Sequence, residues 1–306
     1  MPGADFITDP MARRARAAAE AHYTEALTAP KRLDAARVAL RALDFTSLSG
    51  SETAEEIAAL CDSASESVDR TTVAAICVYP QHIAQAKAAL RGSGVRVATV
   101  VNFPHGDQAP EAVAKETAQA IAAGADEIDA VLPYRAFLDG DLAACRAVLA
   151  TVRAAVGEGT LKVIVESPVL ESEGGLEAVY AAGRFAAEQG ADFLKTSTGK
   201  STFPGGEKRP ETTPHQAAAL MLAAAESPQR PAVKISGGVK STNDAALLLA
   251  LQEAICGQGS VSPDRFRIGA SGVRDDLIRA LEPDPHGQRG SARGDTAVTY
   301  DAGDVY

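Results

Sequence analysis

From Arg41 onward, short apolar runs that end in polar residues alternate with longer alanine-rich segments of helical spacing. The short runs fall at 42–46, 73–79, 95–102, 127–132, 161–166, 192–196, 232–236 and 267–270, each about the length of a buried parallel strand. Between them, Leu142, Cys145, Leu149, Val152 and Val156 fall at steps of three and four and draw one apolar stripe. Another segment opens near Pro110 and closes at Gly124, the usual asymmetry of helix ends. Eight strand-and-helix units within about 250 residues predict a (β/α)8 TIM barrel of the α/β class. The competing architecture is an open doubly wound sheet, and no G-x-G-x-x-G follows the first strand to support it. Residues 1–30 are rich in alanine and arginine and are closed off by Pro30, which predicts a solvent-facing helical extension. The barrel then occupies 31–282. The stretch 283–306, rich in Gly, Asp, Arg and Pro and without apolar periodicity, predicts a flexible tail.

Side chains along a barrel strand alternate between the interior and the helix layer. With Lys195 inward, Phe193 is inward and Leu194 and Thr196 face out. The same parity sends Glu127, Asp129, Lys162, Ile164, Glu166, Lys234 and Ser236 inward, and Ile128, Ala130, Val163, Val165, Val233 and Ile235 outward. Apolar residues thus take the helix side and charged ones share the interior, an arrangement suited to catalysis rather than to a packed apolar centre.

The most informative stretch is Ala191–Lys200, a strand that carries Lys195 at its end and runs into Thr196-Ser197-Thr198-Gly199-Lys200. A lysine inside an apolar strand is costly to keep charged, and losing the charge makes it a nucleophile. The strand after it carries Lys234, so two ammonium groups approach within the roughly 5 Å between neighbouring strands. Bringing a lysine from about 10.4 to about 7 takes roughly 4.6 kcal/mol. A second cation at about 5 Å and an effective dielectric near 20 supplies on the order of 3 kcal/mol, and desolvation supplies the remainder. The competing reading holds each lysine against an inward carboxylate, Asp129, Glu166 or Asp44, with no chemistry. Asp129 and Asp44, at the ends of the fourth and first strands, are candidates either for proton transfer or for holding the lysines in place.

Three late segments predict an anion cradle: Thr198-Gly199-Lys200, Ser236-Gly237-Gly238-Val239-Lys240 and Gly269-Ala270-Ser271-Gly272. Barrels bind phosphate in the loops after their last strands, where glycine lets backbone N–H groups come close. The formal charge of −10 argues against nucleic acid or an anionic membrane as a general partner, so an anionic substrate needs such a local pocket. The absence of a signal peptide or long apolar run predicts a cytoplasmic protein. Cys61, Cys77, Cys145 and Cys256 form no C-x-x-C pair and read as reduced, mostly buried thiols. His22, His82, His105, His215 and His286 have no metal-ligand spacing.

The segments Leu43–Thr46, Ala75–Pro80, Asn102–Gly106, Glu127–Asp129 with Pro133-Tyr134-Arg135, Phe193–Gly199, Val233–Gly238 and Arg267–Ser271 together resemble deoxyribose-phosphate aldolase, a class I aldolase family. They run in order through almost the whole barrel. The resemblance implies cleavage of 2-deoxy-D-ribose 5-phosphate to acetaldehyde and D-glyceraldehyde 3-phosphate, in deoxyribonucleotide catabolism. It implies that Lys195 forms a Schiff base, Lys234 lowers its pKa, and Asp129 moves protons with a bound water. Gly199, Lys200, Gly237, Gly238 and Ser271 match phosphate-binding positions, with no cofactor or metal and a homodimer or larger homo-oligomer expected. Tyr306 matches by position a C-terminal tyrosine that assists proton transfer at C2. Three departures stand out: Gly272 where many members carry a second serine, the segment Ser201–Pro210, and the N-terminal extension. A ketose-phosphate aldolase or transaldolase, and a catalytically silent sugar-phosphate binder, are the alternative functions; paired interior lysines argue against the silent binder.

Overall fold

Valine- and isoleucine-rich runs build the sheet, and alanine-rich amphipathic segments cover it. The structure is a computed structural model that describes residues 10–23, 29–200 and 211–282. Strands β1 (Leu43–Thr46), β2 (Ala75–Val78), β3 (Arg96–Val101), β4 (Glu127–Val131), β5 (Thr160–Ile164), β6 (Phe193–Lys195), β7 (Ala232–Ser236) and β8 (Phe266–Ala270) pair in parallel in chain order. Strand β8 returns to β1 and closes the sheet into the eight-stranded TIM barrel that the strand count predicts. Helices α1 (Pro10–Tyr23) and α2 (Ala29–Arg41) precede the barrel. The connections carry α3 (Ala54–Ser65), α4 (Ile83–Ala89), α5 (Pro110–Ala122), α6 (Tyr134–Leu138), α7 (Leu142–Val156), α8 (Ser167–Glu188), α9 (Pro214–Glu226), α10 (Thr242–Cys256) and α11 (Arg274–Leu281).

Local chemistry explains where these helices begin. Thr53 with Glu56, Thr213 with Gln216, and Ser241 with Asp244 form reciprocal capping boxes at the starts of α3, α9 and α10. The stripe on α7 is buried at Cys145, Leu149, Val152 and Val156, while Leu142, in the open first turn, is 40% exposed. Outward strand residues such as Ile128, Val163, Leu194, Val233 and Ile235 join the helices in one continuous apolar core. Gly183 lets α8 approach α9: a Cβ there would lie 2.8 Å from the Ala223 methyl and 2.9 Å from Leu220 Cδ1.

The N-terminal region differs from the reading of one solvent-facing helix. Helix α1 ends at Tyr23, and Pro30 begins the next helix instead of closing the first, because a proline in the first turn gives up no helical hydrogen bond. Ala15 and Ala19 of α1 are buried against the barrel's α8, α9 and α10, and Arg14 pairs with Glu226 at 2.6 Å. Small alanine side chains make that packing face hard to distinguish from a solvated one by periodicity. The segment Ser201–Pro210, the stretch 283–306 and Tyr306 lie outside the described residues. Among the described residues no helix is long and apolar enough to cross a membrane.

Candidate active site

The barrel interior splits into an apolar patch and an ionic network. Leu48, Cys77, Ala98 and Val100 form the patch, separate from the core between sheet and helices. Strand register sets Asp129 beside Lys162 and Lys195 beside Lys234 on adjacent strands. Lys195 Nζ and Lys234 Nζ each lie 2.8 Å from the same oxygen, Asp129 Oδ2, so the two nitrogens are no more than twice that distance apart. Lys234 Nζ also lies 2.6 Å from Asp44 Oδ2. The lysines therefore neither occupy opposite walls nor hold one private acid each.

Two further cations, which parity placed inward or left unremarked, complete the network. Lys162 Nζ reaches Asp44 Oδ2 at 3.0 Å, Glu127 Oε2 at 2.6 Å and Asp129 Oδ1 at 2.9 Å. Arg267 bonds Asp44 Oδ1 at 2.6 Å and Glu127 Oε1 at 3.1 Å, and its guanidinium lies 5.4 Å from the centre of the Phe193 ring. Nothing in the sequence pattern singles out Arg267, which lies near the start of a strand whose other residues are apolar or small. Lys234 needs a bare neighbour, because a Cβ on Gly269 would come within 2.9 Å of Lys234 Cε. Gly269 thus makes room for a cation as well as lining the site.

Burial lowers the pKa of Lys195; the shared Asp129 opposes that shift and the Lys234 charge adds to it. Desolvation leads and the neighbouring cation follows, which reverses the order that spacing alone implied. Burial also works against the charge on Lys234, but Asp129 and Asp44 outweigh it and hold its pKa above the ordinary lysine value. Asp129 and Asp44 resist burial in the same way: the surrounding cations hold both carboxyls well below the usual range. Asp129 is therefore held as an anion between the two amines. Cys77, facing these charges from β2, is a neutral thiol whose pKa burial pushes up.

Above the network opens a cleft of about 530 Å³, and of the interior lysines only Lys195 lines it among the described residues. Its walls include Thr198, Gly199 and Lys200 after β6, Ser236 to Lys240 after β7, and Gly269, Ala270, Ser271 and Gly272 from the end of β8. Gly199, Gly237 and Gly238 have φ of +70, +86 and +87°, which bends each loop where a Cβ would be strained. The hydroxyls of Thr196 and Ser197 are already engaged, although Ser197 lines the cleft: they donate to the Ser236 carbonyl at 3.1 and 2.6 Å and lash β6 to β7. What that loop offers an anion is accordingly the Thr198 hydroxyl and the Lys200 side chain, since the Thr198 N–H donates to Glu166 Oε2 and the Lys200 N–H to Thr198 Oγ1.

Glu166 differs from its reading as an inward strand residue. It stands beyond β5 in the left-handed region, φ +62°, and its Oε2 accepts the Thr198 N–H at 2.9 Å. The loop after β1, Thr46 to Ser49, forms a fourth wall that glycine and lysine spacing could not reveal. Glu52 shapes it by accepting from Ser47 Oγ at 3.0 Å and from the Ser49 and Gly50 N–H groups at 2.5 and 3.0 Å. Burial opposes the Glu52 charge, yet backbone N–H groups and the Ser47 hydroxyl bring its pKa down to about 2. Among the described residues no cluster of His, Cys, Asp and Glu has the arrangement of a metal site.

Comparison with known proteins agrees with this geometry. The model of the DeoC/LacD family of aldolases matches residues 38–277. A deoxyribose-phosphate aldolase from Agrobacterium fabrum is 40% identical over 250 residues, 81% of this chain and 92% of that relative. A crystal structure of a candidate deoxyribose-phosphate aldolase from Toxoplasma gondii superposes with a TM-score of 0.71 at 25% identity, covering 83% of this chain and 96% of that one. The tetrameric deoxyribose phosphate aldolase from Aeropyrum pernix gives a TM-score of 0.61 at 25% identity, covering 83% and 98%. With every barrel strand inside the family match and 40% identity to a relative covered over 92% of its length, the chain belongs to the DeoC/LacD family of aldolases.

Proposed function

We propose that this aldolase reversibly cleaves 2-deoxy-D-ribose 5-phosphate to acetaldehyde and D-glyceraldehyde 3-phosphate through a Schiff base on Lys195. The observation that carries the reading is the position of Lys195, a buried amine of lowered pKa that opens into a cleft walled by three glycine-bearing loops. Neutral Lys195 adds to C1 of the open-chain sugar and water leaves, giving an iminium that accepts electrons. As the C3 hydroxyl loses its proton, the C2–C3 pair moves into the iminium. C3 becomes the aldehyde of glyceraldehyde 3-phosphate, and an enamine remains on Lys195. Protonation at C2 and hydrolysis then release acetaldehyde.

Asp129, bonded to both amines, relays these protons, directly or through one water. Lys234 keeps its charge and discourages protonation of Lys195. Asp44, which contacts Lys162, Lys234 and Arg267, holds the network in place and leaves the substrate to others. The phosphate occupies the loops at Thr198–Lys200, Gly237-Gly238 and Gly269–Gly272, far from the bond that breaks, so its binding energy positions the reacting carbons. We further assign the protein to the cytoplasm and to a homo-oligomer, the latter supported by the tetrameric Aeropyrum relative.

Ser271→Asp tests the phosphate assignment by placing a carboxylate in the cleft. It is expected to raise KM for deoxyribose 5-phosphate by about tenfold or more, the equivalent of ~1.4 kcal/mol, while kcat/KM for unphosphorylated deoxyribose stays within about twofold. Equal losses on the two substrates would remove the phosphate from these loops. Steady-state kinetics on both sugars, with fructose phosphates as a further comparison, decides it.

A further inference from the structure

Among the described residues the interior network contains one more cation than it has carboxylates. Its anions are Asp44, Glu127 and Asp129; its cations are Lys162, Lys195, Lys234 and Arg267, joined by contacts of 2.6–3.1 Å. No side chain in it is more than 4% exposed. The remaining strands add no buried charge: β2 contributes the thiol of Cys77, and β3 contributes Ala98 and Val100 to the interior. Arg96, the first residue of β3, touches Glu127 at 3.3 Å at the open end of the barrel but is 45% exposed, where water screens it. Glu166 lies past β5 on the Thr198 N–H, and Lys200 is exposed at the mouth.

We propose that the Arg267–Glu127 ion pair, at the N-terminal end of the barrel, is a positioning device that sets the protonation state of Lys195 through the charge balance of the sealed interior. The inference rests on reading Lys195 as the imine-forming amine. A sealed, low-dielectric space disfavours net charge, so one proton leaves the network. A guanidinium cannot give one up at ordinary pH. Among the described residues Lys162 contacts all three carboxylates and Lys234 contacts two, whereas Lys195 has a single carboxylate contact, to an oxygen it shares with Lys234. Lys195 is the least compensated, and it is the one that opens to the cleft. Arg267 permanently engages one carboxylate's worth of negative charge and thereby leaves none for Lys195.

Two substitutions in this one pair are expected to act with opposite sign. Arg267→Met removes a fixed cation, so Lys195 retains its proton to higher pH; Glu127→Gln removes an anion, so Lys195 releases it at lower pH. At an effective dielectric near 20 and a separation of about 10 Å, each change moves the midpoint by about one pH unit. The readout is the rate of reductive trapping of acetaldehyde on Lys195 as a function of pH, followed by peptide mass. Arg267→Lys, which keeps the charge, is expected to leave the midpoint where the unsubstituted chain has it. Midpoints that stay put, or that move the same way in both variants, would overturn the charge-balance role, because lost packing alone has no reason to shift them in opposite directions. If Arg267→Met does not fold, the Glu127→Gln midpoint against that of Arg267→Lys decides the matter. An unsubstituted chain that gives no Lys195 adduct would instead overturn the Schiff-base reading, and this inference with it.

Discussion

Lys195→Met is expected to reduce cleavage of deoxyribose 5-phosphate by about 10⁴-fold or more, since it removes the atom that carries the covalent intermediate and with it the low-barrier route. Methionine keeps the length and apolar body of the stem, so the interior need not repack. Asp129 still holds Lys162 at 2.9 Å and Lys234 at 2.8 Å, so no carboxylate is stranded. The variant should therefore remain folded and still bind the substrate phosphate while turning nothing over. A coupled assay for glyceraldehyde 3-phosphate, alongside a melting curve, separates these effects. Activity above about one hundredth of the unsubstituted value, in a folded protein, would mean the amine does not carry the intermediate.

The second large effect is expected from Asp129→Asn. Asp129 is the common partner of Lys162, Lys195 and Lys234, and all four side chains are almost wholly buried. Removing the shared anion leaves the buried ammonium groups one negative charge short, with only Asp44 and Glu127 to share, which costs about 3–5 kcal/mol and lowers the melting temperature by roughly ten degrees. Asp129 also favours the charged form of Lys195, so its removal lets Lys195 lose its proton at lower pH. Imine formation should survive, or extend to more acidic conditions, while cleavage slows on the order of 10²–10⁴-fold for want of a proton relay. A variant that cleaves normally would remove Asp129 from the chemistry; one that no longer forms the imine would make its role one of holding Lys195 in place.

Much of this was legible in the order of residues, for definite reasons. The strands could be found because parallel strands covered by helices need unbroken apolar outer faces, and the charged residues between those faces could then only point inward. Lys195 and Lys234 become register partners once two neighbouring strands each carry a lysine and run into a glycine-bearing loop. Parity also sent Lys162 inward, but nothing local says that it reaches three carboxylates from β1 and β4. The Arg267–Glu127 contact joins residues 140 positions apart across the closed barrel. The hydroxyls of Thr196 and Ser197 donate to the Ser236 carbonyl, and whether a hydroxyl serves a ligand or a neighbouring carbonyl depends on rotamers that spacing does not encode. The cause of the Lys195 shift was misordered for a related reason: charge separation can be guessed from strand spacing, whereas depth of burial depends on everything that covers the site.

The central claim is that an uncharged Lys195 bonds covalently to aldehyde carbon. Exposing the unsubstituted protein to acetaldehyde and borohydride at neutral pH, then locating the modification by peptide mass, tests it most directly. The account predicts one ethyl group, on the peptide that contains Lys195 and not on the one that contains Lys234. A protein left unmodified, or one labelled at Lys234 instead, would contradict it.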